Sequence, residues 1–148
     1  MPEFSHLDSD GSARMVDVGH KPAQARSARA EGVVRCAPET INALRTKALP
    51  KGDVLTVAKI AAIQAAKRCD ELIPLCHSLP LDSVDVEFEV EAEAIRIRAV
   101  ARTTAKTGVE MEALTAVSVA ALTIYDMCKA VDRSMVIGDI RVTEKLKG

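Results

Sequence analysis

Val84, Val86, Phe88 and Val90 alternate with Asp85, Glu87, Glu89 and Glu91, the period-two pattern of a half-buried strand. Ile95, Ile97, Ala99 and Ala101 alternate in the same way with Arg96, Arg98 and Arg102. An acidic outer face beside a basic one predicts an antiparallel pair with favourable cross-strand charges, and its simplest reading is a solvated face rather than a binding patch. Upstream the period lengthens. Val57, Ala58, Ala61, Ala65 and Cys69 recur at helical spacing, predicting a helix from Val54 to about Leu72 with Asp53 as its cap. Pro38 suits the first turn of a helix reaching Lys47, and a strand centred on Val33 and Val34 is expected before it, from Ala28 to Cys36. Pro74 and Pro80 rule out helix between them. A long helix is expected from Val109 to about Asp132, a last strand from Met135 to Val142, and a charged tail at 144–148.

Gly11, Gly19 and Pro22 interrupt residues 1–27, which read as an irregular arm where only Met15-Val16-Asp17-Val18 can pack or pair. Residues 28–148 then form a single domain. Its order of strand, helices, strand, strand, helix, strand is the split βαβ plan. The expected class is α+β, a ferredoxin-like βαββαβ sandwich with its antiparallel sheet covered by helices.

With 148 residues, 48% of them hydrophobic, the chain can fill one real core. A net charge of -1 gives no global attraction to nucleic acid or anionic membrane, so any anion site must be a local cluster. Aromatics are 2% with no Trp, which removes stacking platforms for single-stranded nucleic acid. Cys36, Cys69, Cys76 and Cys128 include no Cys-x-x-Cys pair, and the polar, acidic start lacks the apolar core of a signal peptide; a cytoplasmic protein with reduced thiols is expected. The apolar stretch from Met111 to Cys128 contains Glu112 and Asp126, so a buried helix is expected there, not a membrane span.

Rigid scaffolds hold their sites at junctions between elements, and three junctions carry candidates. Lys51-Gly52-Asp53 precedes a helix, where an ammonium can meet a phosphate and glycine lets backbone approach a ligand; a solvated lysine beside an ordinary cap is the plainer reading. Leu75-Cys76-His77 lies in an apolar, proline-bracketed loop that could bind metal, supply a nucleophile and base, or contact a ligand. Zinc is disfavoured, because no other Cys/His pair has ligand spacing and His6 and His20 fall in the arm. Adjacent side chains point apart, which also disfavours the nucleophile–base couple. A ligand-contacting loop remains, beside the plain alternative of a buried cysteine next to a satisfied histidine.

The third junction is the long helix, with Glu110 and Glu112 at its front and Asp126 and Lys129 at its back. Asp126 and Lys129 are three apart, share a face and can couple as an acid–base pair. As a surface ion pair they would mean little, but an unpaired charge in the apolar run around Asp126 would be costly, which favours function. Glu112 and Asp126 are separated by about 21 Å of straight helix, at 1.5 Å per residue. They cannot serve one small-molecule site within a single chain. Either only one is catalytic, or a second subunit completes each pocket; the small-residue helix faces favour the second.

Five strings carry a resemblance: Lys51-Gly52-Asp53; residues 60–67, IAAIQAAK; residues 72–77, LIPLCH; residues 106–115, KTGVEMEALT; and residues 124–131, IYDMCKAV. Nearly word for word, they resemble the cyclic pyranopterin monophosphate synthases, the molybdenum cofactor biosynthesis protein C family. The likeness runs from Met15 to Gly138. It implies a lyase that converts a cyclised dihydro-GTP, (8S)-3′,8-cyclo-7,8-dihydroguanosine 5′-triphosphate, made by an upstream radical GTP cyclase, into cyclic pyranopterin monophosphate with loss of pyrophosphate. It also implies Asp126 and Lys129 as the catalytic pair with Lys51 beside them. Leu75, Cys76, His77, Met111 and Glu112 would contact substrate with Glu110 close by, and Arg26, Lys21 and Lys145 would take the triphosphate. The family is a homohexamer, a trimer of dimers with sites at subunit interfaces, in agreement with the helix-length argument.

These residue types suit that chemistry, since ring opening and closure need proton transfers and departing pyrophosphate needs cations. No cofactor or metal is required by the sequence, although Mg2+ could accompany the triphosphate. Ser78 stands where the family usually has Pro, which implies a slightly different loop, and the usual acidic C-terminal extension is short. Two other classes fit the residues less well. A ligand sensor would need the cations but not an acid–base pair, and a structural subunit would leave the charges at both helix ends incidental.

Overall fold

A computed structural model describes Ser5 and residues 7–148; His6 lies outside the described residues. Eight elements follow in order: β1 (Gln24–Arg35), α1 (Pro38–Arg45), α2 (Val54–Lys67), α3 (Cys69–Leu72), β2 (Leu81–Val90), β3 (Ala94–Ala105), α4 (Glu110–Cys128) and β4 (Val136–Lys147). The strands form one antiparallel sheet in the order β2-β3-β1-β4. This is the α+β βαββαβ sandwich expected from the alternation of periods.

The charged face of β2 and β3 is built as the pattern predicts. Glu87 pairs with Arg98 and Glu89 with Arg96 across the strands, and ion pairs join Arg98 to Glu89 at 3.0 Å and Arg102 to Asp85 at 3.3 Å. The opposite face is core: Val34, Ile95, Ile97, Ala99 and Ala101 are each no more than 1% exposed. Alanine dominates the helix faces that meet it, with Ala58 and Ala62 from α2 and Ala113, Ala116, Ala120 and Ala121 from α4 all fully buried. Side chains this small let α2 and α4 pack against each other and onto the sheet at close range.

Four boundaries differ from the expectation by four residues or more, each for a physical reason. β1 begins at Gln24 rather than Ala28, because its first residues pair on both sides, Gln24 with Ala105 and Arg26 with Lys147. The same pairing draws the charged tail into β4, where backbone bonding rather than side-chain burial sets the strand. α2 ends at Lys67, since the Arg68 N–H turns back to the Ala65 carbonyl at 3.0 Å; one separate helical turn, α3, follows before Pro74. α4 stops at Cys128 instead of Asp132. The N–H groups of both Val131 and Asp132 fold back to the Cys128 carbonyl, and the Asp132 side chain is engaged elsewhere.

α4 is long and apolar enough to cross a membrane by length and composition, with a mean hydropathy of 1.3, yet 56% of that window is buried within the fold. The helix serves as the core element the sequence predicts.

Candidate active site

Continuous α-helix from Glu110 to Cys128 makes α4 a rigid bar, and each end holds one cluster of candidate residues.

At the front end, a cleft is lined by Val16, Val18 and Lys21 of the arm, Leu75, Cys76, His77 and Leu79 of the proline-bracketed loop, and Thr107, Gly108, Glu110 and Met111. Six of the sequence candidates thus share one wall. The His77 Nε2 lies 2.5 Å from the Val16 carbonyl, an acceptor that places the ring proton on Nε2. That contact anchors the one arm segment with packing potential against the loop. Lys145 of β4 reaches the same end of the helix, its Nζ 2.6 Å from Glu110 Oε1.

Two candidates stand apart from the cleft walls. Arg26 is 8% exposed, and its guanidinium donates to the carbonyls of Ala105 at 3.1 Å and Lys106 at 3.4 Å. It lines a neighbouring hollow with Ser27, Asp82, Arg102, Thr103 and Leu146. Glu112 is 3% exposed and lies behind Cys76, whose Sγ is 3.7 Å from Glu112 Oε2. Burial, then the Glu112 charge, pushes the Cys76 thiol up to about 12, and burial raises the Glu112 carboxyl as well. Neither group is a free nucleophile here.

At the back end, Lys51 from the loop before α2 and Lys129 from the end of α4 converge on Asp126. Lys129 Nζ lies 2.9 Å from Asp126 Oδ1 and Lys51 Nζ 3.0 Å from Oδ2, so each carboxylate oxygen has its own ammonium. Hydrogen bonds from Lys129 and then Lys51 hold the Asp126 carboxyl below its ordinary range. The structure corrects the expectation that Asp126 is buried in an apolar run. The helical period sets it on the outer face between buried Ile124 and Met127, with its side chain 54% exposed. Ion pairs so exposed add little stability, and this triad faces outward with its charges accessible.

Sequence reasoning missed two residues. Cys69, placed only on a helical face, stands 3.8 Å from Cys76, Sγ to Sγ; the signal was a second cysteine seven positions before the first. Asp132 is 5% exposed and accepts four hydrogen bonds, from Ala37 N, Thr40 Oγ1, Ser134 N and Ser134 Oγ, tying the end of α4 to the start of α1. Its role is architectural.

A family model described as the MoaC family matches residues 15–148. The chain belongs to the MoaC family. This MoaC-family chain is 57% identical over 150 residues to a cyclic pyranopterin monophosphate synthase of Roseiflexus sp. (strain RS-1), covering 100% of the chain and 95% of the relative. It is 54% identical over 146 residues to a protein of the same name from Peptoclostridium acidaminophilum, covering 99% and 93%. A molybdenum cofactor biosynthesis bifunctional protein of Chlorobaculum tepidum is 58% identical over 146 residues, 99% of this MoaC-family chain and 47% of that protein.

Proposed function

We propose that the chain is a cyclic pyranopterin monophosphate synthase, acting in molybdenum cofactor biosynthesis on the cyclised dihydro-GTP and releasing pyrophosphate. The observation that carries the reading is identity of 54–57% along essentially the whole chain with proteins of that name. Asp126, held ionised between Lys51 and Lys129, offers one carboxylate and two ammonium groups within about 3 Å, a set suited to moving protons at several ring atoms. Lys21 and Lys145 bring cations to the front cleft, where a triphosphate would sit, with Mg2+ as a candidate companion of the leaving pyrophosphate.

Front and back clusters lie at opposite ends of one straight helix, so the reading requires a second copy of the chain to bring the triad to the cleft. Apolar side chains suited to burial against it are exposed on the helices and the edge strand: Ile60 at 53%, Leu122 at 59%, Val136 at 55% and Leu146 at 56%. A homohexamer built as a trimer of dimers satisfies this requirement, within a cytoplasmic pathway fed by a radical GTP cyclase.

The test is incubation of the purified protein with the cyclised dihydro-GTP, with and without Mg2+, following the oxidised pterin by fluorescence and pyrophosphate by enzymatic assay. Pterin and pyrophosphate in equal amounts sustain the proposal. Tight binding without turnover would replace it with a ligand sensor.

A further inference from the structure

Behind the wall of the front cleft, Thr115, Cys69, Cys76 and Glu112 form one line of polar contacts. Cys69 opens α3, Cys76 lies in the proline-bracketed loop, and Glu112 and Thr115 share a face at the start of α4. Cys76 Sγ stands 3.7 Å from Glu112 Oε2 and 3.6 Å from the His77 carbonyl oxygen. A carbonyl and an ionised carboxylate only accept, so the single Cys76 proton is committed to them. Its sulfur is left as an acceptor for the Cys69 thiol, 3.8 Å away. The Cys69 sulfur in turn accepts from the Thr115 hydroxyl at 3.4 Å. Donation therefore runs one way, from Thr115 through Cys69 and Cys76 to the cleft wall, and successive donors polarise one another in the same sense.

Cys69 is 1% exposed, whereas Cys76 lines the cleft. The Cys69 carbonyl accepts from the Ile73 N–H at 2.8 Å, where the chain leaves α3 for the loop. That backbone bond survives any replacement of the side chain, so the thiol has a separate task. It sets the orientation of Cys76 further along the loop. Glu112 is 3% exposed, so little water reaches the line and a missing donor is not readily replaced.

We propose that Cys69 is a positioning residue, whose thiol, ordered by Thr115, holds Cys76 and the Glu112 carboxyl in place for the substrate. The inference rests on the synthase reading, which takes Cys76 and Glu112 as substrate contacts. Cys69 itself touches no substrate and acts through Cys76. Because Asp126 and its two lysines stand at the other end of α4, loss of the Cys69 donor falls on substrate binding and spares proton transfer.

Two replacements separate hydrogen bonding from packing. Cys69→Val keeps the bulk and removes the donor, whereas Cys69→Ser keeps a donor and loses bulk. Full-length variants would be assayed with the cyclised dihydro-GTP. Cys69→Val should raise KM about 10-fold with kcat within about threefold of the parent, the order of one lost hydrogen bond. Cys69→Ser should keep KM within about threefold of the parent, because its hydroxyl still donates. A side chain that only filled space would give the reverse order. Should Cys69→Val fail to fold, Thr115→Val carries the test, with KM raised about threefold; where both fold, the double variant should bind no worse than Cys69→Val. Turnover by the parent is the control. Binding without turnover there would end the synthase reading, and dissociation constants would replace KM in the same comparison. Parental KM in Cys69→Val, equal impairment in Cys69→Ser, additive losses in the double variant, or a fall in kcat at unchanged KM would each overturn the positioning role. A parent that neither binds nor reacts would overturn both readings.

Discussion

Lys51 and Asp126, 75 residues apart in sequence, meet at 3.0 Å, so the loop before α2 closes on the last turn of α4. The pair is exposed and contributes little to folding, which separates its chemical role from a structural one. Lys51→Ala, Lys129→Ala and Asp126→Asn should therefore each lower kcat by about 100- to 10,000-fold, the range for loss of a positioned acid or base. Thermal melting should stay within a few degrees of the parent. Loss of activity matched by loss of fold would assign the triad to architecture instead.

If each pocket joins the front cleft of one chain to the triad of another, two inactive variants should rescue one another. Lys51→Ala and His77→Ala chains, co-expressed and purified together, would place both lesions in one site of a mixed dimer and leave the other intact. Random pairing predicts about a quarter of parental activity from an equal mixture. Zero recovery with demonstrated mixing would place the whole site in one chain.

The charged alternation over 84–91 and 95–102 was legible because those strands each bury one face, and a period of two then appears in the side chains. β4 was only half legible. Its side chains are almost all exposed, so nothing in their polarity marks where backbone pairing with β1 ends. Asp126 was placed in the right cluster by its spacing to Lys129 but wrongly thought buried: composition of the run was weighed above phase, and phase sets it outward. The nearness of Cys69 to Cys76 escaped notice because a helix break after Lys67, rather than spacing along one local loop, brings the two thiols to 3.8 Å.

Gly32 of β1 is fixed by close approach. A Cβ there would lie 2.7 Å from Val117 Cγ1 and 3.0 Å from Ile140 Cγ1, and Val117 is a short, stiff, fully buried side chain with no room to retreat. Gly32→Ala should cost about 1–3 kcal/mol by overpacking, measured by urea denaturation. An unchanged midpoint would show that the sheet and α4 can separate at little cost.

Asp132 links stability to acidity. Burial pushes its carboxyl up, but the hydrogen bonds from Ser134, Ala37 and Thr40 outweigh that and bring it down to about 2 from the usual 3.8. Because the folded value is the lower one, this stabilisation is complete above pH 3.8 and is lost as pH falls towards 2. At about 1.4 kcal/mol per pH unit of difference, it amounts to about 2 kcal/mol. Asp132→Ala should lower unfolding free energy at pH 7 by at least that much, and the gap between variant and parent should narrow below pH 3. A gap independent of pH would remove the carboxylate from the account.

Where α2 and α4 meet, the fold has spent its smallest non-glycine side chain again and again: Ala58, Ala62, Ala113, Ala116, Ala120 and Ala121. Truncation, the usual way to wound a protein interior, has almost nothing to remove there. The vulnerability runs the other way, because every substitution at these positions other than glycine adds atoms, and every added methyl pushes the two rods apart. That seam also fixes the distance between Lys51, just ahead of one rod, and Asp126 on the other. Drift at these alanines would thus open the triad before it unfolded the chain, which makes activity a more sensitive gauge of this interior than any melting curve.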